Sequence, residues 1–153
     1  MTEVQVLDLS ADRMRADVVA VFFFEDDRPL RGPAGLADWR LNGLLTGLLL
    51  EGKAAGRPGE NILVRSNGKL AAEWVLFAGG GKRQEFAGRT LEILLLHLLE
   101  TCRLARFSRV SLCFGKPEGV EVKTMEHLAN RLLAEMGNDV FECLLSIRDD
   151  HIH

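Results

Sequence analysis

The stretch Val75-Leu76-Phe77-Ala78-Gly79-Gly80-Gly81-Lys82-Arg83 decides how this chain is read. An apolar run starting at Trp74 stops abruptly at three glycines and a basic pair, which is how a short buried strand ends. Glycine lets the chain leave a sheet through positive φ and turn sharply. Past the turn, Gly88 to Arg106 carries Leu91, Leu94, Leu95, Leu98, Cys102 and Ala105 on one stripe of period 3.6, the pattern of a long amphipathic helix. A strand, a tight turn and a helix in that order form the building block of a layered α/β domain.

Upstream, Asn61 to Arg65 reads as a partner strand joined to Trp74–Ala78 through Ser66-Asn67-Gly68-Lys69, where Asn-Gly is a strong hairpin signal. Val18 to Phe24 is β-branched and aromatic, apolar on both faces and closed by Glu25-Asp26-Asp27, as expected of a central strand covered on both sides. Val4, Val6 and Leu9 suggest a first strand. Arg28 to Gly35, with its prolines and glycines, reads as a loop, and Gly56 to Gly59 as a turn. Between them a helix carries Leu41, Leu44, Leu45 and Leu48 on one stripe and ends at Gly52. Gly43 and Gly47 fall inside this helix, each costing about 1 kcal/mol against Ala, and close approach of another backbone is the expected return.

Downstream come a strand at Val110–Phe114, a loop at Gly115-Lys116-Pro117 and a helix. This helix has Met125, Leu128, Ala129, Leu132, Leu133 and Met136 on one face and Glu126, Asn130 and Glu135 outside it. Gly137 stops it, a last strand runs from Val140 to Ile147, and a polar, loose tail is expected from Arg148 to His153. The order is β-β-α-β-β-α-β-α-β. It predicts one α/β domain over residues 1–153, a mixed sheet of about six strands flanked by helices.

Composition narrows the function classes. The 153 residues are 47% hydrophobic and 27% charged, as in ordinary globular domains. Nineteen basic against 22 acidic residues leave a net charge of −3, which argues against a nucleic-acid or anionic-membrane surface. Cys102, Cys113 and Cys143 are odd in number and set in apolar segments, so reduced core cysteines are expected. The start, Met1-Thr2-Glu3-Val4, lacks a basic region followed by an apolar stretch, and the longest apolar run is too short to span a membrane. A cytoplasmic protein is the expectation.

Three stretches together resemble the N-terminal domain of the leucyl aminopeptidases. They are Gly32-Pro33-Ala34-Gly35-Leu36-Ala37-Asp38-Trp39-Arg40-Leu41-Asn42-Gly43 with its Leu-rich continuation, Gly59-Glu60-Asn61-Ile62-Leu63-Val64, and Val75 to Arg83 followed by Phe86 and a long helix. The resemblance implies a macro-domain-like fold that sits beside a separate two-metal catalytic domain in hexameric enzymes. The metal-binding half and its Asn-Thr-Asp-Ala-Glu-Gly-Arg signature are absent from these residues, so the resemblance implies no peptidase activity, no catalytic residue and no cofactor for them.

Other sites are tested by spacing. No Gly-x-Ser-x-Gly occurs, and His97 and His127 have no partner at zinc-ligand spacing, so neither a serine hydrolase nor a metal site is expected. The turn Gly79, Gly80, Gly81, Lys82 and Arg83 is the place where backbone N–H groups can converge on a phosphate. Neither strict fingerprint fits, because a P-loop needs glycine where Leu76 stands and a dinucleotide turn needs it at Gln84. The macro-domain likeness adds Asp17, ahead of Val18-Val19, as a possible contact to adenine in a nucleotide or ADP-ribose-like ligand. The leading expectation is a non-catalytic interaction domain that forms homo-oligomers or binds a protein partner. Its basis is Ile93, Leu96 and Leu104, which lie opposite the helix's inner stripe among Glu92, Glu100 and Arg103.

Overall fold

The computed structural model describes residues 3–115, 120–137 and 140–148. Its strands are β1 (Gln5–Leu7), β2 (Val18–Phe23), β3 (Asn61–Arg65), β4 (Trp74–Gly79), β5 (Arg109–Cys113) and β6 (Glu142–Ser146). The helices are α1 (Gly32–Arg40), α2 (Leu44–Leu50), α3 (Gly88–Leu104) and α4 (Val122–Met136), with 3-10 turns at Ala11–Arg13 and Arg83–Glu85. The six strands form one sheet in the order β1-β6-β5-β2-β4-β3. Every neighbouring pair is parallel except β3 with β4, which is antiparallel. The mixed α/β architecture follows the sequence expectation.

β2 lies inside the sheet and all six of its residues are buried, which is why it reads as an unbroken apolar run. Its side chains alternate between two cores. Val18, Ala20 and Phe22 pack with α3 and α4 through Leu95, Leu98, Cys102, Ala129 and Leu132. Val19, Val21 and Phe23 pack on the other face with Ala37, Leu41 and Leu45 of the α1–α2 region. The three cysteines are buried and are not joined in disulfides. Burial pushes the Cys102 thiol up to about 12, and burial with Cys102 close by raises Cys143 as well.

The structure corrects several local readings. Residues 28–35 are not all loop, because α1 begins at Gly32, where Pro33 occupies the first turn and has no N–H to lose. The single Leu-rich helix is two, broken where Asn42 (φ 60°) and Gly43 (φ 78°) take left-handed backbone. Asp38 secures the second: its carboxylate accepts the Leu45 amide at 2.7 Å and the Thr46 amide at 3.2 Å. Gly43 and Gly47 admit no close backbone, since a Cβ on either meets nothing within 4 Å. Ala105 is exposed at the end of α3 rather than part of the inner stripe. Asn130 is not merely outward, for its amide oxygen accepts the Val4 N–H at 2.7 Å and holds the start of the chain. The Asn-Gly turn forms, with Asn67 at φ 52° and Gly68 at φ 79°, but the connection is longer than a tight hairpin because Leu70 and Ala72 tuck into the core. Lys116, Pro117 and the tail from Asp149 lie outside the described residues.

Candidate functional site

The sheet's carboxyl edge, where ligands of open α/β domains usually bind, is built here around the glycine turn. Three segments meet: the end of β2 through Arg28, the loop Ala54–Glu60, and Gly79–Arg83. The Glu60 carboxylate gathers this loop, accepting the amides of Ala55, Gly56 and Arg57, the Gly56 bond at 2.7 Å. Arg28 ties the β2 end to it, donating to the carbonyls of Phe24 at 2.9 Å and Ala55 at 3.1 Å.

Each glycine of the turn faces an atom that a side chain would strike. A Cβ on Gly79 would lie 1.9 Å from the Arg57 carbonyl oxygen, and one on Gly80 2.5 Å from the Phe24 ring. Gly81 adopts φ 74° against Pro58. The three amides are also committed: Gly79 donates to the Glu60 carbonyl at 2.7 Å, Gly80 to Phe23 at 2.9 Å and Gly81 to Gly56 at 2.8 Å. The turn therefore locks the loop 54–60 onto β2 and β4. Each of these three N–H groups thus has a backbone carbonyl as its partner. Between the turn and the long helix lies a 3-10 turn, and α3 starts at Gly88 as the sequence reading has it.

Arg83 of the basic pair turns inward. Its Nε donates to Asp27 at 3.1 Å, a second contact joins the two side chains, and the guanidinium lies 4.4 Å from the Phe24 ring centroid. Asp27 is 3% exposed and also takes Arg31 at 2.9 Å. Burial works against ionisation of Asp27, yet the two guanidiniums outweigh it and hold the carboxyl below the usual carboxylate range. Asp26 accepts the Arg83 amide at 3.1 Å. Lys82 is exposed. Sequence reasoning noted Glu25-Asp26-Asp27 only as the end of a strand. The acidic run facing Lys82-Arg83 across the turn was the available signal.

Asp17 does not join this site. It precedes β2, whose register runs from Val18 opposite Trp74 to Phe23 opposite Gly79, so roughly 20 Å of strand separates Asp17 from the glycines. Its carboxylate accepts the amides of Ser108 at 2.6 Å and Arg109 at 3.0 Å, pinning the entry of β5. The adenine contact suggested for Asp17 thus meets a side chain already occupied at the opposite edge.

On the outer face of α3 the side chains of Ile93, Leu96 and Leu104 are 54%, 38% and 71% exposed. The edge strand β3 adjoins this face, because the Asn61 side chain bonds Thr101 of α3 at 3.1 Å and approaches His97 at 3.3 Å. Leu63, two residues on and so on the same side of β3, is 42% exposed. Among the described residues no group of three metal-ligating side chains gathers, and no helix is long and apolar enough to cross a membrane.

Fold and site together define a macrodomain-like α/β unit with a sealed glycine turn. Residues 18–136 match the cytosol aminopeptidase family, N-terminal domain, and the chain belongs to that family. It is 31% identical over 111 residues to the cytosol aminopeptidase of Pseudomonas aeruginosa, covering 72% of this chain and 22% of that protein. To a probable cytosol aminopeptidase of Sulfurihydrogenibium it is 25% identical over 108 residues, covering 71% of this chain and 21% of the relative. The chain thus spans about a fifth of the curated relatives it matches. Among solved structures, a tomato leucine aminopeptidase mutant superposes with TM-score 0.69 at 14% identity, over 100% of this chain and 34% of that one. The macrodomain of Mycobacterium tuberculosis DarG superposes with TM-score 0.71 at 9% identity, over 96% of this chain and 99% of that one. These likenesses carry the fold alone.

Proposed function

We propose that this domain is a non-catalytic interaction module that self-associates through the outer face of α3 and the adjoining edge of β3. The observation that carries the reading is the exposure of Ile93, Leu96 and Leu104 on one helix face, extended by Leu63 on the next strand. Four large apolar side chains on neighbouring elements exceed the scattered exposure normal for a monomer surface. An edge strand beside them presents unpaired backbone groups to a second copy, and a two-fold pair lets one patch serve both subunits. The matched relatives are aminopeptidases of which this segment is a minor part, which fits an accessory rather than a catalytic role. The committed glycine amides favour this reading over a phosphate ligand at the turn. Sedimentation of the wild type and of an Ile93→Glu/Leu104→Glu variant tests it. A wild-type dimer that the variant reduces to a folded monomer is expected, and a monomeric wild type at micromolar concentration refutes the reading.

A further inference from the structure

On the face of the sheet opposite α3, the β5–β6–β1 side is crossed by the connection from β1 to β2. This connection buries Ala11 and Met14 and leaves a cleft of about 500 Å³ beside it. Leu7, Leu9 and Leu144 supply apolar walls, and Arg13, Arg15 and Arg109 supply charge. A second cleft of about 530 Å³ shares Arg15 and Arg109 and continues toward Asp17.

Arginines and carboxylates share these clefts, with Asp12 in the first and Asp17 in the second. Among the described residues, Arg13 and Arg15 have neither an ion pair nor a side-chain hydrogen bond. The Nε of Arg109 is shut off from solvent without a hydrogen bond, and Arg109 is ion-paired with Glu142 at 3.8 Å. The acids nearby are committed elsewhere. Asp12 is taken by Ser10 and by Arg40 at 2.9 Å, and Asp17 by the two backbone amides at the entry of β5. Guanidiniums suit planar carboxylates and phosphates, which they grip with paired N–H groups. Leucine walls suit a hydrocarbon body, and the volume is within the range of small-molecule sites.

We propose that this cleft binds a small organic anion, with a carboxylate or phosphate head on the arginines and a short apolar body against Leu7, Leu9 and Leu144. The site lies on the other face of the sheet from the association patch and stands independently of it. Octyl phosphate, octanoate, octanol and inorganic phosphate are titrated into the full chain below their aggregation limits, with the methyl signals of Leu7, Leu9 and Leu144 followed by NMR. Saturable shifts with one or both amphiphilic anions are expected, at least tenfold tighter than with octanol or inorganic phosphate. Tighter binding of octyl phosphate assigns a phosphate head, and tighter binding of octanoate a carboxylate head. Arg15→Ala, at an exposed position on the connection, is expected to weaken binding at least tenfold with the melting temperature unchanged, and Arg109→Ala to do the same where it folds. No saturation, equal binding of octanol, or undiminished binding by Arg15→Ala overturns the proposal.

Discussion

Replacing Asp27 with alanine removes the carboxylate that holds the sealed edge together. Two guanidiniums lose this contact, and their exposures set the magnitude. Arg31 is 68% exposed, so its pair contributes at most about 1 kcal/mol. Arg83 is 23% exposed against an Asp27 that is 3% exposed. Breaking a fully buried pair costs about 3–5 kcal/mol because a charge is stranded. Arg83 keeps some water and its place against Phe24, which lowers that loss to about 2–3 kcal/mol. The expected destabilisation is therefore about 3 kcal/mol, or roughly 6–12 °C in melting temperature for a domain of this size. Urea unfolding followed by circular dichroism measures it, and a double-mutant cycle with Arg83→Ala should show coupling above about 1 kcal/mol. A loss below about 1 kcal/mol, or additive single mutants, refutes the reasoning.

Gly79→Ala sets a Cβ 1.9 Å from the Arg57 carbonyl, so it should destabilise by about 1–3 kcal/mol or more by overpacking, read by thermal unfolding. Gly80→Val should likewise lower stability, through the Phe24 ring. Burial works against ionisation of Asp12 and Asp27, yet Ser10 and Arg40 on the first and Arg83 and Arg31 on the second hold both carboxyls below the usual carboxylate range. Their stabilisation is complete above the unfolded pKa and disappears as pH falls through the folded values, so acid unfolding should steepen below about pH 4 and flatten in Asp27→Asn. Cys102 and Cys143, with raised thiol pKa values and buried side chains, should resist a thiol reagent at pH 8 until the protein is unfolded in urea.

Local pattern was enough wherever one segment determines its own environment. β2 declares burial on both faces by being apolar at every position, the inner stripe of α3 declares its helix by period, and Asn67-Gly68 declares a turn by its tolerance of positive φ. What stayed hidden depends on contacts between distant segments. Pro33 reads as a loop breaker until its place at the start of a helix is seen. The break at Asn42-Gly43 depends on Asp38, which satisfies the first amides of α2. The role of the glycine turn is set by Arg57 and Phe24, about twenty and fifty residues earlier in the chain, and nothing local reveals that its amides are consumed. The partners of Asp17 are hidden for the same reason, since Ser108 and Arg109 come from the far side of α3. The outer face of α3 was legible because exposure of Ile93, Leu96 and Leu104 follows from the helical period alone.

A spin label on an Arg103→Cys variant tests the association face most directly. Arg103 is exposed on α3 beside the patch, and the three native thiols are buried, so only the introduced cysteine is expected to react. If two copies pack through α3, their axes lie about 8–10 Å apart, and dipolar coupling should report one narrow, short distance that vanishes on addition of Ile93→Glu/Leu104→Glu. A label on Lys53→Cys, beyond α2 on the other side of the sheet, should give no such short distance. Absence of coupling from position 103 at concentrations where the wild type sediments as a dimer would place the association elsewhere and contradict the account.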